Sequence, residues 1–117
     1  MSLALQVSRL GEAAVIHCNG RIVFREEAAA LSHAVNDLLH DVRHIVLDLQ
    51  GTTAIDSAGL GELVALHMWV QGSGGSLKLC GLSSRIHYLL ELTNLTSVLE
   101  IFPTEEVALD SCQPQAV

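Results

Sequence analysis

Residues 45–71 decide the fold, and they read IVLDLQGTTAIDSAGLGELVALHMWVQ. The first five residues are almost all apolar, which is typical of a strand that is covered on both faces. The last fourteen predict a helix over 58–71 that follows Asp56 and Ser57 and ends at a glycine-rich segment. Residues 50–55 form either a loop or the end of a strand. A buried strand followed by a helix favours an α/β fold.

The chain upstream of this stretch predicts a hairpin and a helix. Two short apolar runs, 3–7 and 13–18, flank Gly11 and predict two antiparallel strands, the second of which ends at Gly20. A helix is predicted over 25–40, with acidic residues in its first turn and apolar residues at steps of three and four. These apolar residues are Ala28, Leu31, Val35 and Leu38, and Val42 follows at the same spacing.

The chain downstream continues the alternation of strands and helices. Strands are predicted at 76–80 and 97–101. Ser83 and Ser84 cap a third helix, which runs to about residue 92, and Thr104 caps a fourth. The predicted order ββαβαβαβα gives an α/β domain with a mixed, mostly parallel sheet of about five strands and four helices.

Length and composition predict a single folded domain. The chain has 117 residues, too few for two cores, and 50% of them are hydrophobic, too many for a disordered chain. We expect the domain to span residues 3–110 and residues 111–117 to form a disordered tail. Aromatic residues make up only 3%, so the core is expected to be aliphatic.

Charge and cysteine spacing exclude several classes of function. The net charge is −7 and Lys78 is the single lysine, which excludes the basic surface that nucleic-acid binding needs. The apolar runs are too short to insert into a membrane, and the first residues do not resemble a signal peptide. Cys18, Cys80 and Cys112 are widely spaced and odd in number, so we expect reduced thiols in a cytoplasmic protein. We also expect no bound metal or cofactor.

The candidate site is the segment 56–61, which reads DSAGLG. Ser57 is expected at or next to the N-cap of the second helix, where free backbone N–H groups favour anions. Gly59 and Gly61 leave the first turns bare, at a cost of about 1 kcal/mol each relative to Ala, so a partner or a phosphate can approach. An ordinary helix cap with close-packed glycines explains the same residues. Phosphate-loop motifs and the G-x-S-x-G hydrolase elbow are not matched.

The segment DSAGLG resembles the D-S-[ST/A]-G-[LI]-G signature of the STAS family, the sulfate transporter and anti-sigma factor antagonist domains. The strand at 45–49 and the segments 90–95 and 101–109 also resemble the family pattern. The resemblance extends over about residues 3–109.

The resemblance implies an anti-sigma factor antagonist that regulates sigma-factor-dependent transcription by partner switching. In such bacterial proteins the unphosphorylated form binds an anti-sigma factor that is also a serine kinase, and phosphorylation releases it; a phosphatase can act as a further partner. The phosphorylated serine corresponds to Ser57 and its acidic neighbour to Asp56. The residues expected to bind phosphate or partner are Asp56, Ala58, Gly59, Leu60, Gly61, Glu62 and Trp69.

One segment departs from the family pattern. Many antagonists carry G-[ED]-[LI]-D after the second strand, whereas residues 20–23 here read GRIV. Arg21 and Val23 replace the acidic residues in a connection that often contacts the partner.

The second helix has two faces on a helical wheel. The inward arc is expected to contain His67, either as a hydrogen-bonded core histidine or as a pH sensor. The other residues of this arc are Leu60, Leu63, Val64, Met68 and Val70. The opposite face carries Ala58, Glu62, Ala65 and Trp69. Trp69 is either covered by the C-terminal helix or presented to a partner.

Two other functions are compatible with the motif. The first is a stand-alone STAS subunit of an ABC-type lipid transport complex, with no phosphorylation switch. The second is a hydrolase with Ser57 as nucleophile, which we rank last; the leading hypothesis is that the protein is not an enzyme. The remaining titratable residues are expected to be solvated or structural: His17, His33, His40, His44, His87, Glu26, Glu27, Glu105 and Glu106.

Overall fold

The computed structural model describes residues 3–112, which fold as one α/β domain. None of the helices in that range is long and apolar enough to cross a membrane. The helices are α1 (Phe24–Leu38), α2 (Ser57–Gly72), α3 (Ser84–Leu92) and α4 (Glu105–Asp110). The strands are β1 (Leu3–Leu10), β2 (Ala13–Ile22), β3 (His44–Asp48), β4 (Thr52–Ile55), β5 (Ser76–Cys80) and β6 (Glu100–Phe102).

The sheet is mixed and mostly parallel, as predicted. Its order is β1-β2-β3-β5-β6, with the β1–β2 hairpin antiparallel and the other neighbours parallel. His17 of β2 lies opposite Asp48 of β3, which lies opposite Cys80 of β5. In a parallel sheet the carboxyl ends of the strands share one edge, where α/β proteins commonly place their sites.

The segment 50–55, left open by the sequence, contains the extra strand β4. It pairs in parallel with the last residues of β2, while β3 pairs with the first half of the same strand. The prediction that β2 ends at Gly20 is therefore wrong. Gly20 has φ of 119°, a conformation that glycine adopts without strain, and the register shifts between Gly20 and Arg21. The strand continues through this irregularity to Ile22.

The C-terminal third is close to the prediction apart from its last strand. Residues 97–101 do not form a strand throughout; Leu95–Ser97 is a turn of 3-10 helix and β6 is Glu100–Phe102. Asn94 precedes this turn with φ of 60°, a left-handed conformation that asparagine tolerates. Thr104 caps α4 by accepting the N–H of Val107, as expected. Residues 113–117 of the predicted tail lie outside the described range.

The two faces of the sheet are covered unequally. Helices α1, α2 and α3 pack over one face and bury most of the aliphatic core, including the predicted α1 residues Ala28, Leu31, Val35 and Leu38. On the other face α4 covers a small cluster of Val15, Val46, Cys80 and Ala108. The side chains of His17, Asp48 and Lys78 on the central strands therefore lie on the α4 face.

The buried cysteines are on opposite faces. Cys18 belongs to the large cluster and Cys80 to the α4 cluster. Burial, followed by the nearby Asp48 carboxylate, raises the pKa of each thiol to about 12. Both are therefore protonated at neutral pH, while Cys112 is only half-buried.

Candidate functional site

A single carboxylate, that of Asp56, joins the starts of two helices. It is the N-cap of α2, and its Oδ1 accepts the N–H of Gly59 at 3.0 Å. Its Oδ2 accepts the N–H of Phe24 at 2.9 Å, and Phe24 is the first residue of α1. These two bonds stabilise the carboxylate and hold the pKa of Asp56 below its ordinary value, and the bond from Phe24 contributes most. Asp56 is thus ionised at neutral pH and fixes the start of α2 against the start of α1.

The connection from β2 to α1 explains why Phe24 needs an acceptor from elsewhere. Val23 occupies the N-cap of α1 and offers no side-chain hydrogen bond. It is buried, whereas Arg21 is exposed. The departure from the family pattern at Arg21 and Val23 leaves this connection without an acid of its own, and Asp56 supplies one. Phe24 has φ of 64° and a side chain that is 58% exposed, next to the start of α2.

The two glycines of the motif differ in their surroundings. Gly59 is buried, and a Cβ there would lie 2.3 Å from the carbonyl oxygen of Ile22 and 2.9 Å from a methyl carbon of Ile55. Gly61 is exposed, and a Cβ there would meet nothing within 4 Å. Close packing therefore accounts for Gly59, as the ordinary-cap interpretation predicts. It does not account for Gly61.

Ser57 is the first residue of α2, directly after the N-cap, as predicted. Ser57 and Ala58 are exposed, and the first turn of α2 contains no acidic residue. Asp56 already occupies the amide of Gly59. A group added to the Ser57 hydroxyl would therefore project toward solvent beside the Asp56 carboxylate.

The outward face of α2 is open. The Trp69 side chain is 61% exposed, and Ala58 and Ala65 are also exposed. Helix α4 lies on the far face of the sheet, so it does not cover Trp69. A groove of about 210 Å³ runs beside this tryptophan, and α1 and α2 line it with Ser32, Asn36, Glu62, Ala65, Leu66 and Trp69.

The inward face of α2 is narrower than predicted. Its buried residues are Gly59, Leu63, Leu66, His67 and Val70, while Leu60 and Val64 are half-buried. Met68 is 66% exposed, so its assignment to the inward arc is wrong. The buried positions recur at steps of three and four, and Met68 falls between them.

His67 is buried in α2, but not as a fully hydrogen-bonded core histidine. Its Nδ1 has no hydrogen-bond partner among the described residues. The core position is therefore as predicted, and within residues 3–112 the predicted hydrogen bond is absent at Nδ1. The geometry around His67 gives no separate support for a pH sensor.

A second group of residues lies close together at the carboxyl edge of the sheet, and the sequence did not predict it. His17 Nε2 lies 2.8 Å from Glu105 Oε1 and 3.8 Å from Asp48 Oδ2. His17 and Glu105 are 88 positions apart, so no local spacing could reveal their contact. Alternation along β2 and β3 was the only available signal, because it places His17 and Asp48 on one face once the register is known.

Comparison with known proteins adds a family and a set of relatives. The family model described as STAS domain matches residues 4–108. An anti-sigma-B factor antagonist from Bacillus subtilis is 32% identical over 102 residues, 87% of this chain and 84% of the relative. An anti-sigma F factor antagonist from Paenibacillus polymyxa is 32% identical over 66 residues, and the match spans only 56% of the length of that relative.

Solved structures share the fold. An anti-sigma factor antagonist from Mycobacterium paratuberculosis superimposes with a TM-score of 0.84 at 22% identity, covering 97% of this chain and 96% of that one. The Bacillus cell fate determinant SpoIIAA in its phosphorylated form gives a TM-score of 0.70 at 18% identity, covering 94% and 100%. At these identities the likeness concerns the fold alone.

Proposed function

Because the chain belongs to the STAS domain family, we propose that it is an anti-sigma factor antagonist whose partner binding is switched by phosphorylation of Ser57. The unphosphorylated protein binds an anti-sigma factor serine kinase and so frees a sigma factor. Phosphorylation releases the kinase. The names of its relatives support the antagonist role, and the local geometry at Ser57 supports the switch.

The observation that carries the proposal is the exposure of Ser57 on the first residue of α2, directly after Asp56. A kinase must reach the hydroxyl without unfolding the domain, and an exposed residue at a helix start allows this. Ala58 follows and has no hydroxyl, so no second acceptor adjoins Ser57. Gly61, open on the same end of the helix, leaves room for a partner to approach the backbone.

Electrostatics explains how one phosphate could release a partner. A phosphate adds about −1.5 to −2 charges at pH 7. On Ser57 it would stand beside the ionised Asp56 carboxylate, whose amide partners at Phe24 and Gly59 are already engaged. A partner packed on this surface would have to desolvate both anions. A penalty of about 3 kcal/mol would weaken binding roughly a hundredfold.

The docking surface is the outward face of α2. Trp69 provides an exposed aromatic anchor, and tryptophan is enriched among the residues that dominate binding energy. The groove between α1 and α2 lies beside it and could accept a side chain of the partner. Phe24 adds a second exposed apolar side chain near the start of α2, where its N–H binds Asp56.

The protein is proposed not to be an enzyme and to act in the cytoplasm. The transferred phosphate comes from ATP bound to the kinase, so Ser57 is the acceptor and not a catalytic nucleophile. The chain needs no cofactor for this role.

Intact-mass spectrometry tests the proposal directly. The full chain is incubated with ATP and a kinase-type anti-sigma factor from the same organism, and we expect a gain of one phosphate. Ser57→Ala should abolish the gain. Ser84→Ala is the matched control, because Ser84 is likewise the exposed first residue of a capped helix.

Two results would contradict the proposal. One is a phosphate that Ser57→Ala still acquires, for example on Ser73 or Ser83. The other is co-purification with an ABC-type ATPase and no binding to the kinase, which would favour the transport-subunit alternative.

A further inference from the structure

We propose that His17, Asp48 and Glu105 form a binding site for one divalent transition-metal ion, with Zn²⁺ as the natural probe. The three side chains offer one imidazole nitrogen and two carboxylate oxygens, which all lie within 4.8 Å of one another. Nitrogen and oxygen ligands of this kind bind Zn²⁺ at about 2.0–2.2 Å. The site is separate from Ser57 and does not depend on the phosphorylation switch.

The spacing of the ligand atoms is suitable for a metal. Tetrahedral coordination at those bond lengths separates neighbouring ligand atoms by about 3.3 Å. The observed separations from His17 Nε2 are 2.8 Å to Glu105 Oε1 and 3.8 Å to Asp48 Oδ2, on either side of that value. Small side-chain rotations would centre an ion among the three atoms, and water would complete its coordination.

Each ligand is held by a different regular element. His17 is on the central strand β2, and Asp48 lies opposite it on β3. The backbone N–H of Gln50 donates to Asp48 Oδ1 at 2.9 Å, which leaves Oδ2 directed toward His17. Glu105 is the first residue of α4, which Thr104 caps. Such supporting hydrogen bonds orient ligands in known metal sites.

Charge and access also favour a cation. The side chain of Asp48 is only 11% exposed, and those of His17 and Glu105 are 33% and 37% exposed. Two carboxylates therefore lie beside a single, partly buried imidazole. Lys78 does not neutralise them, because its ammonium pairs with Glu100 at 2.7 Å. Open cavities of about 240 Å³ and 540 Å³ both border Asp48 and give an ion and its waters a route to the site.

A bound ion would tie α4 to the sheet. Glu105 lies on α4, whereas His17 and Asp48 lie on adjacent strands, so coordination would link the C-terminal helix to β2 and β3. The ion should therefore raise the thermal stability of the whole domain, because it binds the folded chain and finds no preformed site in the unfolded one.

Isothermal titration of the chelator-treated full chain with Zn²⁺ tests the site. Titrations use a Cys112→Ser background, since an accessible thiol can bind zinc by itself. We expect one Zn²⁺ per chain and an increase in the melting temperature. His17→Gln and Glu105→Gln should each weaken binding at least tenfold, since even supporting residues of metal sites contribute about ten- to a hundredfold. Mg²⁺, which prefers oxygen ligands, should bind far more weakly.

His87→Gln is the matched control. His87 Nδ1 lies 3.6 Å from Glu91 Oε1 on α3, so this pair repeats the histidine–carboxylate contact without the third ligand. Its loss should leave Zn²⁺ affinity unchanged. Circular dichroism checks that each variant is folded, and the ¹⁵N chemical shift of the His17 imidazole in the background protein should move on addition of Zn²⁺.

The proposal is overturned by any of three results. Zn²⁺ could fail to bind at millimolar concentration, which would make the cluster a structural ion pair. It could bind equally well to the His17→Gln and His87→Gln variants. Finally, the His17 imidazole resonance could stay unmoved at saturating Zn²⁺, a result that needs no variant to fold.

Discussion

Helices α2 and α3 begin alike but have different surroundings. Asp56 caps α2 by accepting the Gly59 N–H, and Ser83 caps α3 by accepting the Ile86 N–H. Each helix then starts with an exposed serine, and neither has an acid in its first turn. Each also carries one aromatic residue that is 61% exposed, Trp69 and Tyr88 respectively.

The N-termini of α2 and α3 differ in how they are connected to the rest of the fold. Asp56 also binds the first N–H of α1, and Gly59 lies against the backbone of β2, so the start of α2 is joined to two other elements. A groove runs beside Trp69. The start of α3 has one cap bond to its own third residue. An accessible serine and an exposed aromatic thus do not define a site, whereas a rigidly joined surface around them does.

The largest effect is expected where α2 touches β2. Gly59→Ala should destabilise the domain by about 3 kcal/mol, because its Cβ would collide with a backbone carbonyl that cannot move aside. Gly61→Ala, its control, meets open space and should stabilise by about 1 kcal/mol through helix propensity. Urea unfolding measures both. Equal effects at the two glycines would show that Gly59 is not in tight contact with β2.

The exposed aromatics give the next comparison. Trp69→Ala should weaken binding to the kinase by about 2 kcal/mol, as truncation of an interface anchor does. It should cost less than about 1 kcal/mol of stability, since the side chain is mostly in solvent. Tyr88→Ala, at the same exposure, should leave affinity unchanged. Calorimetric titration with the kinase measures the affinity of both variants. Equal losses of affinity would show that the outward face of α2 is not part of the interface.

A smaller difference in kinase affinity is expected between charged variants of Ser57 and Ser84. Ser57→Asp should reduce kinase affinity about tenfold, less than phosphorylation does, because a carboxylate carries one charge instead of nearly two. Ser84→Asp places the same charge at the start of α3 and should have no effect on binding. Both variants should keep the wild-type melting temperature closely. A Ser57→Asp protein that binds as tightly as wild type would contradict the electrostatic account.

The smallest expected effect concerns acid stability. The N–H groups of Phe24 and Gly59 lower the pKa of Asp56 in the folded state below the 3.8 of an unperturbed side chain. Its contribution to stability is therefore complete above pH 3.8 and is lost as the pH falls through the lower, folded-state pKa. Asp56→Asn should flatten the stability profile in this acid range. Urea melts between about pH 2 and pH 5 measure the slopes.

Most elements could be predicted because their patterns are local. The apolar stripe of α1, the caps at Ser83 and Thr104 and the strand at β5 all depend on neighbouring residues, and the structure confirms them. β4 lacks such a pattern. It has four residues, and it is a strand because β2 continues past Gly20 to pair with it.

The position of the candidate site could be predicted from the sequence, but its contacts with other elements could not. The position of Ser57 after a capping Asp56 follows from the sequence alone. The bond from Phe24 to Asp56 spans 32 positions and depends on how β2 and β4 align. The same holds for His17 and Glu105. Met68 was misplaced because a broad arc on a helical wheel does not reveal which part of it meets the sheet.

Chemical labelling of the two buried thiols can measure how often each face of the sheet opens. Alkylating reagents attack thiolates, and burial raises the pKa of both thiols to about 12, so they are protonated at pH 7. Labelling of Cys18 or Cys80 in native conditions must therefore wait until the local structure opens. Cys18 lies under α1–α3 and Cys80 under α4, so their separate labelling rates would time the opening of each face of the sheet.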